Sequence, residues 1–238
     1  MGRGCLFRKK SGFYDTRATH WFSRREGADV INGSWVPWNP TIKTTLKEIK
    51  NPIPLYYKNR YVVYVPKGEA VGFDCAVGDL AVPHGKGAVA DFLFTYTADR
   101  GGETLAYVTN ELVVAIQDGG GFYTQKKDMG SKFQFEYTAP LEGYQEEVFY
   151  EFARTADKIY KDTTLPKDEY LIFRSRIETG DDGNVTNAHY GLIASLQQGE
   201  SYEEPNKGTI ILEYYFNSTP NDKNLEYGSN LFDEKKRK

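Results

Sequence analysis

From about Leu55 to Pro140 the chain runs in short stretches whose side chains alternate in character every second residue, and most stretches stop at glycine or proline. Asp91–Thr97 (DFLFTYT) sets Phe92, Phe94 and Tyr96 against Leu93, Thr95 and Thr97, and Lys132–Thr138 places Phe133, Phe135 and Tyr137 on one face. A period of two is that of a strand with a core face and an outer face. Tyr61–Val65 (YVVYV) is β-branched and aromatic throughout, as fits a pleated, half-buried surface. Glu69–Asp74, Asp79–Val82, Thr104–Thr109, Glu111–Ile116 and Phe122–Gln125 read as further strands, joined by Gly101-Gly102, Gly119–Gly121 and Gly130. Short strands with glycine turns at this spacing predict a mostly β fold, an antiparallel sandwich or barrel.

The same pattern continues beyond residue 140. Tyr170–Ile177, Ala188–Leu196 and Thr209–Phe216 read as strands. Glu147–Ala153 alternates Val148, Tyr150 and Phe152, although Val148, Phe152, Ala156 and Ile159 also fit a helical period; the strand reading is taken. The expected organisation is therefore 1–54 as an extended N-terminal arm, 55–140 as a β-domain, and 141–238 as a second β region or part of the same domain. Composition agrees: 18 Tyr, 14 Phe and 23 Gly in 238 residues favour strands. No run of 18 apolar residues occurs, so a membrane-spanning helix is not expected, and Met1–Ser11 lacks the apolar stretch of a secretory signal.

The first 54 residues differ from the rest. Thr41–Lys50 (TIKTTLKEIK) spaces Ile42, Leu46 and Ile49 at i, i+4 and i+7 between Pro40 and Pro52, which predicts a short amphipathic helix over 41–50. All three tryptophans, Trp21, Trp35 and Trp38, lie in this region. Up to Arg25 it holds seven basic residues (Arg3, Arg8, Lys9, Lys10, Arg17, Arg24, Arg25) against Asp15 alone, a net +6, which leaves −9 for the remainder of a chain of formal charge −3. Trp and Arg dominate interface energetics, so the expected assembly interface comprises Arg3, Cys5, Arg8, Lys9, Lys10, Trp21, Arg24, Arg25, Trp35 and Trp38. The acidic remainder argues against a nucleic-acid partner. Cys5 and Cys75 are too few for a disulfide framework. They pair within a chain, pair between chains as a clamp, or stay free, and free thiols are the expectation in a reducing compartment.

Candidates for chemistry are sparse. His20, His84 and His189 lack metal-ligand spacing. Glu146-Glu147 with Glu151, Asp181-Asp182 and Glu203-Glu204 offer adjacent carboxylates, but adjacent acids on loops are ordinarily solvated. Gly119–Gly121 lacks the spacing of a phosphate-cradling loop. No nucleophile–base pair can be named, so a non-enzymatic role without cofactor or metal is expected.

The stretch Tyr61–His84 (YVVYVPKGEAVGFDCAVGDLAVPH) has a strand ending in Val-Pro-Lys-Gly, then two short strands and a proline turn. With Trp38-Asn39-Pro40 and Asn51-Pro52-Ile53-Pro54 before it, this cadence resembles tailed-bacteriophage virion proteins, especially capsid decoration (cement) proteins. The resemblance covers about a tenth of the chain closely. It implies a β-rich, non-catalytic protein on the capsid surface of the virion, made in the host cytoplasm. The partners it implies are the major capsid protein, reached by an N-terminal arm, and copies of the chain itself, as a trimer or another homo-oligomer. A tail-, collar- or fibre-associated carbohydrate-binding sandwich, with exposed Tyr stacking on sugar rings, is the alternative.

Overall fold

The computed structural model describes residues 2–22, 30–31, 34–35, 44–101, 107–181, 184–201 and 203–235. The chain divides into two compact units, Met1–Asn51 with Lys127–Phe135, and Pro52–Lys126 with Glu136–Lys238. The regions expected as 55–140 and 141–238 thus fold together, apart from the excursion 127–135.

In the first unit, β1 (Gly2–Arg8) and β2 (Thr16–Phe22) form an antiparallel hairpin, and β3 (Val30–Ile31) pairs with β4 (Ser34–Trp35). The described N-terminal residues therefore double back on themselves where an extended arm was expected. The helix expected over 41–50 is absent from 44–50, and Thr41, Ile42 and Lys43 lie outside the described residues. The physical reason is competition for the backbone. Ile49 N donates to Gly12 O and Tyr14 N to Lys47 O, each at 2.8 Å, and Glu48 bridges Phe13. A ten-residue helix has little stability of its own to oppose such pairing.

Lys132–Thr138, expected as a strand, is irregular. Its alternation is real as burial, with Phe133 and Phe135 both buried. Its amides, however, bond outside any ladder: Lys132 N to Asp15 O at 2.8 Å and Glu136 N to the Tyr170 hydroxyl at 2.8 Å. Phe133 stacks on Tyr14 at 5.1 Å inside the first unit.

The second unit is a sandwich. Its strands are β5 (Ile53–Pro66), β6 (Ala70–Asp74), β7 (Asp79–Leu80), β8 (Phe92–Gly101), β9 (Tyr107–Ala115), β10 (Gly121–Lys126), β11 (Glu147–Thr155), β12 (Ile159–Asp162), β13 (Glu169–Thr179), β14 (Val185–Glu200), β15 (Lys207–Asn217) and β16 (Tyr227–Asn230), followed by the short helix α1 (Leu231–Lys235). One sheet runs β10-β13-β14-β15-β5-β16 and the other β12-β11-β9-β8-β6-β7. All pairings are antiparallel except β16 with β5. Neither sheet closes into a barrel.

Alternation fills the space between the sheets. Ile210, Leu212, Tyr214 and Phe216 of β15 meet Phe92, Phe94 and Tyr96 of β8 and Leu112 and Val114 of β9 in one buried cluster. Phe73 stacks on Phe92 at 5.3 Å and meets Tyr214 edge-on at 5.4 Å. Such geometries add about 0.5–1.5 kcal/mol per pair beyond burial. The close approach of the sheets requires a glycine at 208, because a Cβ there would strike the Tyr96 ring.

Candidate functional site

Four cationic side chains of the first unit line one cleft. The hairpin register sets Arg8 opposite Thr16, and the segment 127–135 is tied to this end of the hairpin. Arg17 N donates to Gly130 O at 2.8 Å, and Thr16 bridges Ser131. Between them lies a cleft of about 380 Å³ lined by Arg8, Lys9, Arg17 and Lys132, with Asp15 as its one carboxylate. Phe7 and Met129 also line it, 66% and 58% exposed. Arg17 lies over the Phe7 ring at 5.5 Å. The Lys9–Asp15 pair, at 3.4 Å, is solvent-exposed and of the kind that contributes about 1 kcal/mol or less. At the base, Ser131 is 3% exposed and its hydroxyl has no partner among the described residues. An orphaned buried donor beneath four cations fits an incoming anionic oxygen.

Of the expected interface residues, Arg8 and Lys9 line this cleft, and exposed Lys10, next in sequence, has its Nζ 4.2 Å from the Phe13 ring. The structure adds Arg17, Met129, Ser131 and Lys132, the last three unforeseen because they arrive from more than a hundred residues away. In the backbone pairing Arg3 lies opposite Trp21, Cys5 opposite Thr19, and Trp35 opposite Val30. The side chains of Arg3, Cys5, Trp21 and Trp35, and all of Arg24, Arg25 and Trp38, lie outside the described residues. Cys75 is a free thiol, 0% exposed in the sandwich core. Cys75 makes no disulfide among the described residues, and the Cys5 side chain expected as its possible partner lies outside them. Burial pushes the Cys75 thiol well above its ordinary range, and the neighbouring Asp91 carboxylate pushes it further. His84 Nε2 lies 3.2 Å from Glu69 Oε1 at the surface, and Glu151 accepts from Lys161 Nζ at 2.7 Å.

The second unit holds a charged cluster that the sequence did not disclose. A bulge in β13 puts Arg176 in the left-handed region, φ 51°. Its Nε and Nη2 donate to Asp91 Oδ1 and Oδ2, both at 2.8 Å, and Nη2 also donates to Asp74 Oδ1 at 3.2 Å. Both carboxylates are almost fully buried. Ser175 Oγ and Cys75 N also donate to Asp91, at 2.7 and 2.8 Å. Asp74 accepts four backbone amides, from Ala76, Val77, Ala88 and Val89. The cluster pins β13 of one sheet to β6 and the loop before β8 of the other. A buried network in which both carboxylates are this densely bonded rigidifies its surroundings.

No protein-family model matches this chain, and neither do the curated proteins nor the solved structures.

Proposed function

We propose that this chain is a non-enzymatic virion structural protein of the capsid-decoration type, docking through its basic N-terminal unit onto acidic surface of the major capsid protein. The observation that carries the reading is the cleft of Arg8, Lys9, Arg17 and Lys132 over the orphaned Ser131 hydroxyl. Charge divides between the two units. The first holds twelve Lys and Arg against five Asp and Glu, a net +7, so the second carries −10 of the chain's −3. A surface so polarised steers a carboxylate-rich partner to one unit and repels it from the other. Phe7 and Met129 supply apolar contact beside the cations, the combination from which interface anchors are built. Arg24, Arg25 and Trp38 belong to the same basic sequence and extend the docking surface in this reading. Self-association on the shell, as a trimer or another homo-oligomer, accompanies it.

The test uses the full chain with Arg8, Lys9, Arg17 and Lys132 all changed to Glu. It should cease to co-sediment with empty shells of the cognate major capsid protein while keeping its β circular dichroism. Binding by the unaltered chain should weaken as salt is raised. Normal shell occupancy by the reversed variant would overturn the proposal.

A further inference from the structure

We propose that a cleft in the sandwich, bounded by Arg176, Asn187 and His189, is a binding site for a small neutral polyhydroxylated ligand of monosaccharide size. The inference is independent of the docking surface, which lies on the other unit.

The cleft has a volume of about 330 Å³, at the small end of the roughly 300–1,000 Å³ range of ligand pockets. Its lining is half apolar, including Val89, Leu93 and Ile177, and half polar, with Asp118 and Glu178 alongside the three bounding residues. Two buried acceptors here have no partner: Asn187 Oδ1 and His189 Nδ1. His189 is engaged by the Ser218 backbone, and in the neutral tautomer that donates through Nε2 its unpartnered Nδ1 is an acceptor. Burial, reinforced by the charge of Arg176, holds this imidazole below its ordinary pKa and keeps it an acceptor. Arg176 spends Nε and Nη2 on the two aspartates, and no bond within the described residues engages its Nη1. The cleft therefore offers two acceptors without donors and one guanidinium nitrogen still able to donate. Hydroxyl groups pair with both at once.

Charge decides against the alternatives. Asp74, Asp91 and Arg176 sum to −1, and Asp118 and Glu178 bring the neighbourhood to −3, which repels an anion. An ammonium bonded to His189 would be repelled by Arg176, whose charge already disfavours a cation at this imidazole. Asn187 and His189 are themselves uncharged acceptors. The apolar half of the wall suits the C–H face of a sugar ring. The aspartate–arginine cluster fixes Arg176 in advance, so its Nη1 is oriented without loss of side-chain freedom on binding.

The test is saturation-transfer NMR on the full chain with glucose, galactose, mannose and myo-inositol, and with glucosamine and glucose 6-phosphate as charged counterparts. Saturable binding of at least one neutral compound is expected at millimolar concentration. Asn187→Leu removes one acceptor, and His189→Phe removes the other while keeping a ring over Phe216. Each should weaken binding about tenfold, as for one lost hydrogen bond, with the thermal midpoint of the chain unchanged or raised. If either variant fails to fold, the other carries the comparison. If both fail, competition between neutral and charged compounds on the unaltered chain decides it. Binding of none of the neutral compounds, binding of the charged ones alone, or equal binding by the folded variants would overturn the proposal and leave a cleft filled by water.

Discussion

Arg176 and Asp91 meet through two parallel hydrogen bonds, Nε to Oδ1 and Nη2 to Oδ2, each 2.8 Å long, across the interior of the sandwich. This bidentate geometry is the strong form of a charge-assisted bond. Replacing the pair by apolar side chains can be neutral, but removing one partner leaves a buried charge uncompensated. Arg176→Met should therefore lower unfolding stability by about 3–5 kcal/mol, read as a fall in the urea midpoint at unchanged slope. Arg176→Lys should recover only part of this, since an ammonium cannot span both Asp91 oxygens as the planar fork does. If Met at this position were tolerated within about 0.5 kcal/mol, the cluster would be ornamental.

Gly208 and Tyr96 set the spacing of the two sheets at one point. A Cβ on residue 208 would fall onto the ring of Tyr96, which is itself 0% exposed and unable to swing outward. Gly208→Ala should cost about 1–3 kcal/mol by overpacking. Tyr96→Leu alone should also destabilise by leaving space, and the double variant should lose less than the sum of the two. Strict additivity in a double-mutant cycle would show that the two residues do not oppose each other.

The sandwich was legible where alternation and hydrogen bonding coincide. Of the expected strand Asp91–Thr97, Phe92–Thr97 falls in β8, while Thr209–Phe216 falls in β15 and Glu147–Ala153 in β11, because each of these segments has a pairing partner that uses its backbone. Of the two strands expected at Thr104–Thr109 and Glu111–Ile116, Tyr107–Thr109 and Glu111–Ala115 merge into β9 across Asn110, which is buried and keeps the register, while 104–106 lie outside the described residues. Lys132–Thr138 misled because its aromatic alternation reports burial without a ladder. The helix expected at 41–50 failed because periodicity says nothing about which backbone donors a neighbour will take. At the candidate sites, Arg8, Lys9 and Lys10 were visible as local charge. Lys132 and the Asp74–Asp91–Arg176 cluster were not, because their meaning depends on contacts between residues more than a hundred positions apart.

Cys75 should be chemically silent in the folded chain. Its thiol is wholly buried and held well above its ordinary pKa by that burial and by Asp91, and the thiolate is the reactive form. In a Cys5→Ser background, Ellman's reagent should report no fast-reacting thiol until denaturant is added, and then one. The native protein on a non-reducing gel should show no crosslinked species that depends on Cys75. A ladder abolished by Cys75→Ser would mean that the core opens, or that assembly forms the bridge.

The buried phenols predict a particular failure at high pH. Burial raises Tyr170 to about 12, and raises Tyr96, Tyr214 and Tyr215 further, from an ordinary value of 10.0. A raised pKa in the folded state means that the native chain keeps protons the unfolded chain releases. The associated stability is complete below 10.0 and is lost as pH climbs through the folded values. Phenolate absorbance should therefore rise in two stages, the second coinciding with loss of the near-ultraviolet dichroism of the core. Tyr214→Phe deletes the hydroxyl that donates to Cys75 O at 2.9 Å, and should remove one tyrosine's worth of absorbance from that second stage. A single reversible titration of all the tyrosines near 10, with the dichroism intact, would show that the space between the sheets admits water and hydroxide, and that the aromatic core is looser than its ring contacts imply.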